Sequence, residues 1–269
     1  MKTKLSDALL STSTWIIFAF IYLPIAVLVV FSFNQERINA VWTGFTFDWY
    51  IRLFNDSSMH AAIWNSLVVG VASTIIATVL GTLLAYGMHK YRFPGKMLLQ
   101  SIVYLPIIIP EIVMAVAMLS FYVWIQLTLG TVSIIIAHVS FNISFVAVVV
   151  MARLAGLDPE LESAARDLGA TPWQAFRKVT LPLITPGIIA GALLAFTLSW
   201  DDFLIAFFTA GVGSTTLPMR VYSMIKFGVS PEINAISTLM LLFSMILIFV
   251  ALRIQGIYSA AGVERASRK

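Results

Sequence analysis

The chain has 269 residues, of which 59% are hydrophobic and only 11% are charged. Because soluble domains carry about 25% charged residues, this composition excludes an ordinary soluble domain and favours a protein of the lipid bilayer. The sequence has no cysteine, which excludes disulfides and thiolate metal sites. Its three histidines, His60, His89 and His138, lack the spacing of metal ligands, and we interpret them as ordinary polar positions.

Six segments are apolar over the length of about 20 residues that a helix needs to cross a bilayer. The sequence therefore predicts an all-α, polytopic membrane domain of six helices that occupies residues 1–269. We expect the first segment to be a retained helix rather than a signal peptide, because no small-residue cleavage site follows it. Gly130 marks the turn between the third and fourth segments. The six predicted spans cover about 14–33, 67–88, 98–119, 132–151, 185–209 and 236–252.

Lysine and arginine accumulate in one set of alternate loops and termini, which holds 13 of the 17 basic residues. The other set contains Arg37, Arg52, Arg220 and Lys226. Because positively charged loops stay in the cytoplasm, we expect both termini on the cytoplasmic side of a bacterial inner membrane. These basic residues, rather than a nucleic-acid partner, account for the net charge of +4, and they orient the protein in the bilayer.

The large loop predicted inside the cell, about 152–184, is polar but patterned. Asp158 and the proline after it suit the start of a helix over 160–168, and Gly169 suits its end. A second short helix is predicted over 173–179, followed by the prolines that begin the fifth span. From the residues alone, this helical hairpin is either a simple connection between two spans or a compact surface shaped for a partner.

Two adjacent alanines in this loop, Ala164 and Ala165, are followed by Gly169 and then by Leu181 and Pro182. This spacing resembles the EAA loop of type I ABC importer permeases. In that motif Glu-Ala-Ala, three residues, Gly and nine further residues precede Ile-x-Leu-Pro. The resemblance implies the type I ABC importer permease fold for this chain.

Two positions depart from the motif, since Ser163 stands where it has glutamate, next to Glu162, and Val179 stands where it has isoleucine. The resemblance implies that the loop is a coupling helix in a groove of a cytoplasmic ATPase subunit, whose closure it transmits to the spans. Small alanines permit a close approach there. The residues implied in coupling are Glu162, Ser163, Ala164, Ala165 and Gly169.

A phosphate-binding loop is missing from the sequence. The Gly95–Lys96 pair is followed by Met97 rather than serine or threonine, and Lys90 stands where the motif requires its first glycine. We therefore expect that this chain is not an enzyme and binds no cofactor or metal of its own, and that ATP and magnesium bind to the partner ATPase.

Three acidic residues, Glu111, Asp201 and Asp202, lie within the predicted third and fifth spans. A carboxylate at the centre of a span costs about 2.5–3.5 kcal/mol on insertion scales, so each should face a cavity or a partner. Glu111 and Asp201 lie about 14 and 15 residues into their helices, hence at one level about 21–23 Å along them. Adjacent Asp201 and Asp202 point about 100° apart, so we expect one to face the pathway and the other a neighbouring helix or partner permease.

Carboxylates at one level, with aromatic rings nearby, suit a cation. The candidate aromatic residues are Tyr104, Trp200 and Phe203, of which we interpret Tyr104 and Phe203 as packing residues. The alternative for the acidic residues themselves is a structural role in hydrogen bonds between helices. The residues alone do not decide between these two interpretations.

Five short segments, spread over both halves of the chain, carry a second resemblance. They are 32–34, 166–170, 196–199, 222–224 and 228–235. With them, nearly the whole chain resembles the second permease of spermidine/putrescine importers. The resemblance implies a heterodimer with a second homologous permease, two cytoplasmic ATPase subunits and a periplasmic polyamine-binding protein. It also implies that Trp49, Glu111, Asp201 and Asp202 line the polyamine pathway, although aspartate is usual at the position of Glu111.

Three alternatives remain open. An ABC permease could carry another small cation or an organic solute. An autonomous ion-driven carrier or channel would transport without an ATPase, and it would leave the EAA-like loop without a purpose. A structural membrane scaffold would not require carboxylates at matched depth.

Overall fold

A computed structural model describes residues 2–36, 41–158, 160–226, 228 and 230–266 of the chain. Within these residues the regular structure is helical, apart from one isolated antiparallel bridge between Asn34 and Phe45. A π-helical turn, Phe176–Thr180, joins the eighth helix to the ninth. The helices in chain order are α1 (Lys2–Phe31), α2 (Asp48–Asn55), α3 (Ser57–Lys90), α4 (Lys96–Ile108), α5 (Glu111–Trp124), α6 (Thr131–Ala155), α7 (Glu160–Asp167), α8 (Pro172–Ala175), α9 (Leu181–Asp201), α10 (Leu204–Thr209), α11 (Leu217–Ile225) and α12 (Pro231–Ala266).

Five helical segments of the described chain are long and apolar enough to cross a membrane, and α4 with α5 makes a sixth if the pair is one span. This confirms the all-α membrane architecture and the predicted order of the spans. Gly130 is the N-cap of α6, which is where the turn between the third and fourth spans was predicted. The candidate spans are Leu10–Phe31, Ser57–Lys90, Thr131–Ala155, Pro172–Asp201 and Pro231–Val250.

The described residues pack as two compact units rather than one. The smaller unit comprises the described parts of Met1–His60 and Arg220–Phe243, and the larger those of Ala61–Met219 and Ser244–Lys269. The assignment of 1–269 to a single permease domain stays a prediction. Three residues of the predicted segments, Arg37, Pro159 and Val229, lie outside the described residues.

The third predicted span is broken into two helices. The sequence predicts one helix over about 98–119, whereas α4 ends at Ile108, α5 begins at Glu111, and the two axes differ in direction by 110°. Pro110 causes the break, because proline offers no backbone N–H and forces the residue before it into an extended conformation. Ile109 accordingly has φ −69° and ψ 133°. Glu111 therefore begins a new helix instead of lying inside an old one.

The fifth predicted span also differs from expectation. A separate short helix over 173–179 is wrong, because helical backbone is continuous from Pro172 to Asp201. Pro182, which lacks an N–H and would crowd the carbonyl four residues back, follows the widened π-helical turn, in which Leu181 N–H bonds to the Phe176 carbonyl. The span then stops at Asp201, and the extended backbone of Asp202 (ψ 125°) leads into α10.

Helix α6 positions the interior of the larger unit, where it packs against α4, α9 and α10. Because it is enclosed by other helices, α6 can carry His138 and Asn142 with no exposed surface. The apolar core around it consists of Ala85, Val103, Val146, Ala147, Val150, Leu154, Ile184 and Ala195.

Gly81 marks the closest approach of α3 to α6. A Cβ atom there would lie 2.8 Å from Val146 Cβ and 2.9 Å from the Ile143 carbonyl oxygen. We expect Gly81→Ala to lower the free energy of unfolding by about 1–3 kcal/mol, because the backbones must separate to admit the methyl group. Thermal unfolding of the purified protein in detergent measures this. Gly87→Ala in the same helix is the matched control, since nothing lies within 4 Å of its Cβ position, and equal stability of the two variants would contradict the close packing.

Candidate functional site

A broken span and the end of another span bring two of the predicted acidic residues, Glu111 and Asp202, close together. Glu111 is the first residue of α5, Asp201 is the last of α9, and Asp202 lies in the break before α10. Helices α5 and α10 pack against each other. As a result, the carboxyl groups of Glu111 and Asp202 are close neighbours. The common level inferred for Glu111 and Asp201 stays a prediction, since the pair brought together is Glu111 and Asp202.

Asp202 is an internal carboxylate, and its side chain is 1% exposed. Its Oδ2 accepts hydrogen bonds from His138 Nε2 at 3.1 Å and from the Ala206 backbone N–H at 2.7 Å. Its Oδ1 accepts one from the Ile205 N–H at 3.3 Å. Asp202 therefore holds the first turn of α10 and fastens it to α6.

Asp201 and Glu111 differ from Asp202 because both are exposed on this chain. The last turn of a helix carries a partial negative charge, so α9 adds its own field to that of the Asp201 carboxylate. An exposed carboxylate at such a helix end is suited to bind a cation. The two adjacent aspartates therefore lie in different environments, since Asp201 is exposed and Asp202 is buried.

A second polar cluster lies next to the acidic residues on the interior side of α6. The Asn142 side-chain amide donates to Ser199 Oγ at 2.8 Å, and Ser199 Oγ lies 3.0 Å from Ser73 Oγ. Sequence reasoning missed this cluster and treated His138 as an ordinary polar residue. The available signal was the four-residue spacing of His138 and Asn142, which puts both on one face of an otherwise apolar helix.

The aromatic residues near the acids make packing contacts. The Trp200 ring stacks on that of Phe196 with centroids 6.1 Å apart, and the ring of Phe203 lies 5.3 Å from that of Phe207. Tyr104 is half-buried on α4. These contacts agree with the interpretation of Phe203 as a packing residue.

Trp49 is an internal residue of the smaller unit. It lies in α2, is 6% exposed, and its indole N–H donates to the Asn34 carbonyl at 2.7 Å. The Arg52 guanidinium covers its ring at 4.9 Å from the centroid. In this conformation the indole fastens α2 to the end of α1, and a role of Trp49 in a solute pathway stays a prediction.

The loop between the fourth and fifth spans has the predicted first helix, α7, and the predicted turn at Gly169. Asp158 Oδ1 accepts from the Glu160 N–H at 2.9 Å at the start of α7. The helix closes with bonds from Gly169 N–H to Arg166 and from Ala170 N–H to Ala165, and Gly169 takes φ +87°. A residue other than glycine is strained at that angle, which explains its place in the sequence.

Glu162 is half-buried, and its side chain is directed at α3 and at the π-helical turn. Its carboxylate pairs with Lys90 at the end of α3. It also accepts hydrogen bonds from Thr180 Oγ1 at 3.2 Å and from Tyr86 Oη at 3.3 Å. Ser163, Ala164 and Gly169 are exposed and Ala165 is half-buried. Glu162 therefore anchors α7, and the exposed members of the motif form its outer surface.

The charge of Lys90 controls the titration of Glu162. Burial raises the pKa of the Glu162 carboxyl, but the hydrogen bond and charge of Lys90, with the Thr180 and Tyr86 hydroxyls, outweigh it and hold this pKa below its usual value. The interaction is complete above the usual glutamate pKa of about 4.3 and is lost as the pH falls through the lower folded-state value.

The family model described as "Binding-protein-dependent transport system inner membrane component" matches residues 77–261 of the chain. The spermidine/putrescine transport system permease protein PotC of Escherichia coli K12 is 40% identical over 235 residues, which covers 87% of this chain and 89% of that protein. The PotC protein of Haemophilus influenzae is 38% identical over 237 residues, covering 88% and 92%. The putrescine permease PotI of E. coli K12 is 41% identical over 231 residues, covering 83% and 82%.

Solved structures of transporters share the fold. A bacterial ABC transporter for the import of the acidic polysaccharide alginate matches with a TM-score of 0.70 and 22% identity, covering 94% of each chain. The inward-facing MetNI methionine ABC transporter matches with a TM-score of 0.61 and 23% identity, covering 73% of this chain and 94% of that one. At these identities the likeness concerns the fold alone.

Removal of the Glu162 charge should loosen α7. We expect Glu162→Gln to accelerate amide hydrogen exchange in 160–167 by about tenfold, a magnitude typical of a lost hydrogen bond to a charged group. Glu160→Gln, an exposed neighbour in the same helix, is the matched control. Acidification through the lowered pKa should loosen α7 in the wild type and have little further effect in Glu162→Gln. Unchanged exchange in the variant would show that the ion pair does not hold the helix.

Proposed function

This chain belongs to the family of binding-protein-dependent transport system inner membrane components, and we propose that it is a permease subunit of an ATP-driven polyamine importer. It is a multi-pass inner-membrane protein with the fold of ABC importer permeases. The observation that supports the cargo best is the similarity to the spermidine/putrescine and putrescine permeases over more than four fifths of the chain.

The acidic residues give this cargo a chemical basis. Polyamines are flexible chains that carry several ammonium groups, and each ammonium is stabilised by a carboxylate where water is scarce. Asp201 at the end of α9 and Glu111 at the start of α5 supply two exposed carboxylates beside broken spans. Such breaks are where many membrane transporters bind their substrates, because freed backbone groups and helix ends can take part.

The exposed surface of the α7–α8 loop provides the coupling step in this proposal. Its outer residues would dock on a cytoplasmic ATPase subunit, with both chain termini on the same side of the membrane. Two such subunits would bind ATP and magnesium, a second homologous permease would complete the pathway, and a periplasmic polyamine-binding protein would deliver cargo. Closure of the ATPase pair would then move the spans between outward-open and inward-open states.

A second cargo class has one observation in its favour. The trehalose permease SugB of Mycobacterium tuberculosis is 32% identical over 207 residues, covering 74% of this chain and 76% of that protein. The same architecture therefore occurs in permeases named for a neutral sugar. If this chain carried such a solute, Glu111 and Asp201 would serve only to hold helices.

The cargo prediction is tested by uptake of radiolabelled spermidine into cells that carry the complete system. We expect uptake that excess putrescine inhibits and excess trehalose does not. Asp201→Asn should lower the uptake rate by about tenfold or more, since it removes one charge contact in a poorly solvated site. Asp48→Asn, an exposed aspartate on α2, is the matched control.

The outcomes separate the possibilities. Full uptake by Asp201→Asn at equal membrane levels would make that carboxylate structural. Wild-type uptake that trehalose inhibits, or no uptake of spermidine, would replace the polyamine by another solute. Uptake that persists without the ATPase subunits would favour an autonomous carrier.

The coupling prediction is tested on the loop surface. Ala164 is small and exposed on α7, so Ala164→Trp should prevent a close approach of the ATPase while leaving the spans unchanged. We expect co-purification of the ATPase with the permease to fall by about tenfold or more, equivalent to ~1.4 kcal/mol of binding free energy. Arg92→Ala, in another loop predicted on the same side, is the control. Unchanged co-purification would place the docking surface elsewhere.

A further inference from the structure

His138 is a buried ionisable residue that the pattern of the sequence does not explain. It lies in the middle of α6, has no exposed surface, and directs Nε2 at the Asp202 carboxylate. A polar group in such a place is costly unless its hydrogen bonds are made, so it is retained for a reason. Its partner is one of the acidic residues at the two helix breaks.

We propose that His138 is a positioning residue, which together with the first turn of α10 holds Asp202 inside the protein and leaves Asp201 and Glu111 to contact the cargo. The part that concerns cargo rests on the function proposed above. The division of roles among the carboxylates follows from the contacts of Asp202.

The hydrogen bonds of Asp202 are nearly complete without any cargo. A carboxylate has about four acceptor positions, and three are occupied by His138, Ile205 and Ala206. Glu111 is a close neighbour of the same carboxylate. Because the Asp202 side chain is 1% exposed, a cargo ammonium cannot reach it while these bonds are intact.

The ring of His138 is fixed by the same geometry. Its Nδ1 has no hydrogen-bond partner among the described residues, so a proton on that nitrogen would be unsatisfied in the interior. The proton is therefore placed on Nε2, where it is donated to Asp202 Oδ2. In this arrangement the imidazole donates one hydrogen bond, and that bond goes to Asp202.

The position of His138 on α6 links the carboxylate to the rest of the bundle. Asn142 lies one turn further along the same face and bonds to Ser199 of α9, which in turn contacts Ser73 of α3. A displacement of α6 relative to α9 would thus act on Asp202, and through its contact with Glu111 on the spacing of the exposed acids. His138 transmits helix position to the acidic residues without touching the cargo.

The proposal is tested with the assembled complex reconstituted in vesicles. Uptake rates of spermidine and putrescine are measured for Asp201→Asn, Asp202→Asn, His138→Leu and His138→Gln. A lost cargo contact should reduce transport of the cargo with more ammonium groups more strongly, so Asp201→Asn should change the ratio of the two rates. Asp202→Asn and His138→Leu should lower both rates by the same factor. His138→Gln, which keeps an N–H donor, should retain most of the activity.

A cargo-independent measurement accompanies the uptake. The unfolding temperature of the complex is compared for His138→Leu, Asp202→Asn and the double variant. We expect the double variant to be no less stable than the worse single variant, because both changes remove one interaction. If His138→Leu does not insert into the membrane, the same double-mutant cycle is measured with His138→Gln and Asp202→Asn. We then expect His138→Gln to cause no further loss of stability in the Asp202→Asn background.

Two results would overturn the proposal. One is a change in the ratio of the two rates for Asp202→Asn as large as that for Asp201→Asn, which would make Asp202 a cargo contact. The other is full additivity of the two losses of stability. Failure of the wild type to transport either polyamine would reject the proposed cargo instead, while the stability cycle would still decide the role of His138.

Discussion

Hydrocarbon supplies no hydrogen bonds, so a chain that interrupts its helices inside a membrane must satisfy the freed groups itself. This chain interrupts one span at Ile109–Pro110 and ends another at Asp201, and the packing of α5 against α10 brings the two places together. Asp202 accepts N–H groups in the first turn of α10 and one further hydrogen bond from His138. The exposed carboxylate of Asp201 is left outside these bonds.

In the loop that connects the fourth and fifth spans, a carboxylate again holds a short helix in place. Helix α7 is held from behind by Glu162, which reaches both the end of α3 and the π-helical turn before α9. The exposed residues of the loop are thereby attached to two spans at once. A force applied to this surface would be passed on through charged and hydrogen-bonded contacts rather than through a flexible linker, as coupling between an ATPase and a permease requires.

Much of this organisation could be predicted from the sequence, because length, hydropathy and short spacings are local properties. The six spans, the turn at Gly130 and the closure of α7 at Gly169 follow from such patterns. A proline such as Pro110 or Pro182 indicates where a helix is disturbed. It does not predict the form of the disturbance, such as the 110° change of direction between α4 and α5. The roles of His138 and Glu162 could not be inferred, because their partners lie 64 and 72 residues away and are selected by packing.

The uninterrupted helical backbone from Pro172 to Asp201 has a consequence for how the sequence can vary. Each residue added or removed within α9 would turn Asp201 by about 100° and shift it by about 1.5 Å relative to the loop surface. Substitutions that keep the length of α9 do not change the direction of Asp201 around the helix axis, whatever their effect on packing. Insertions and deletions should therefore be rare between 181 and 201.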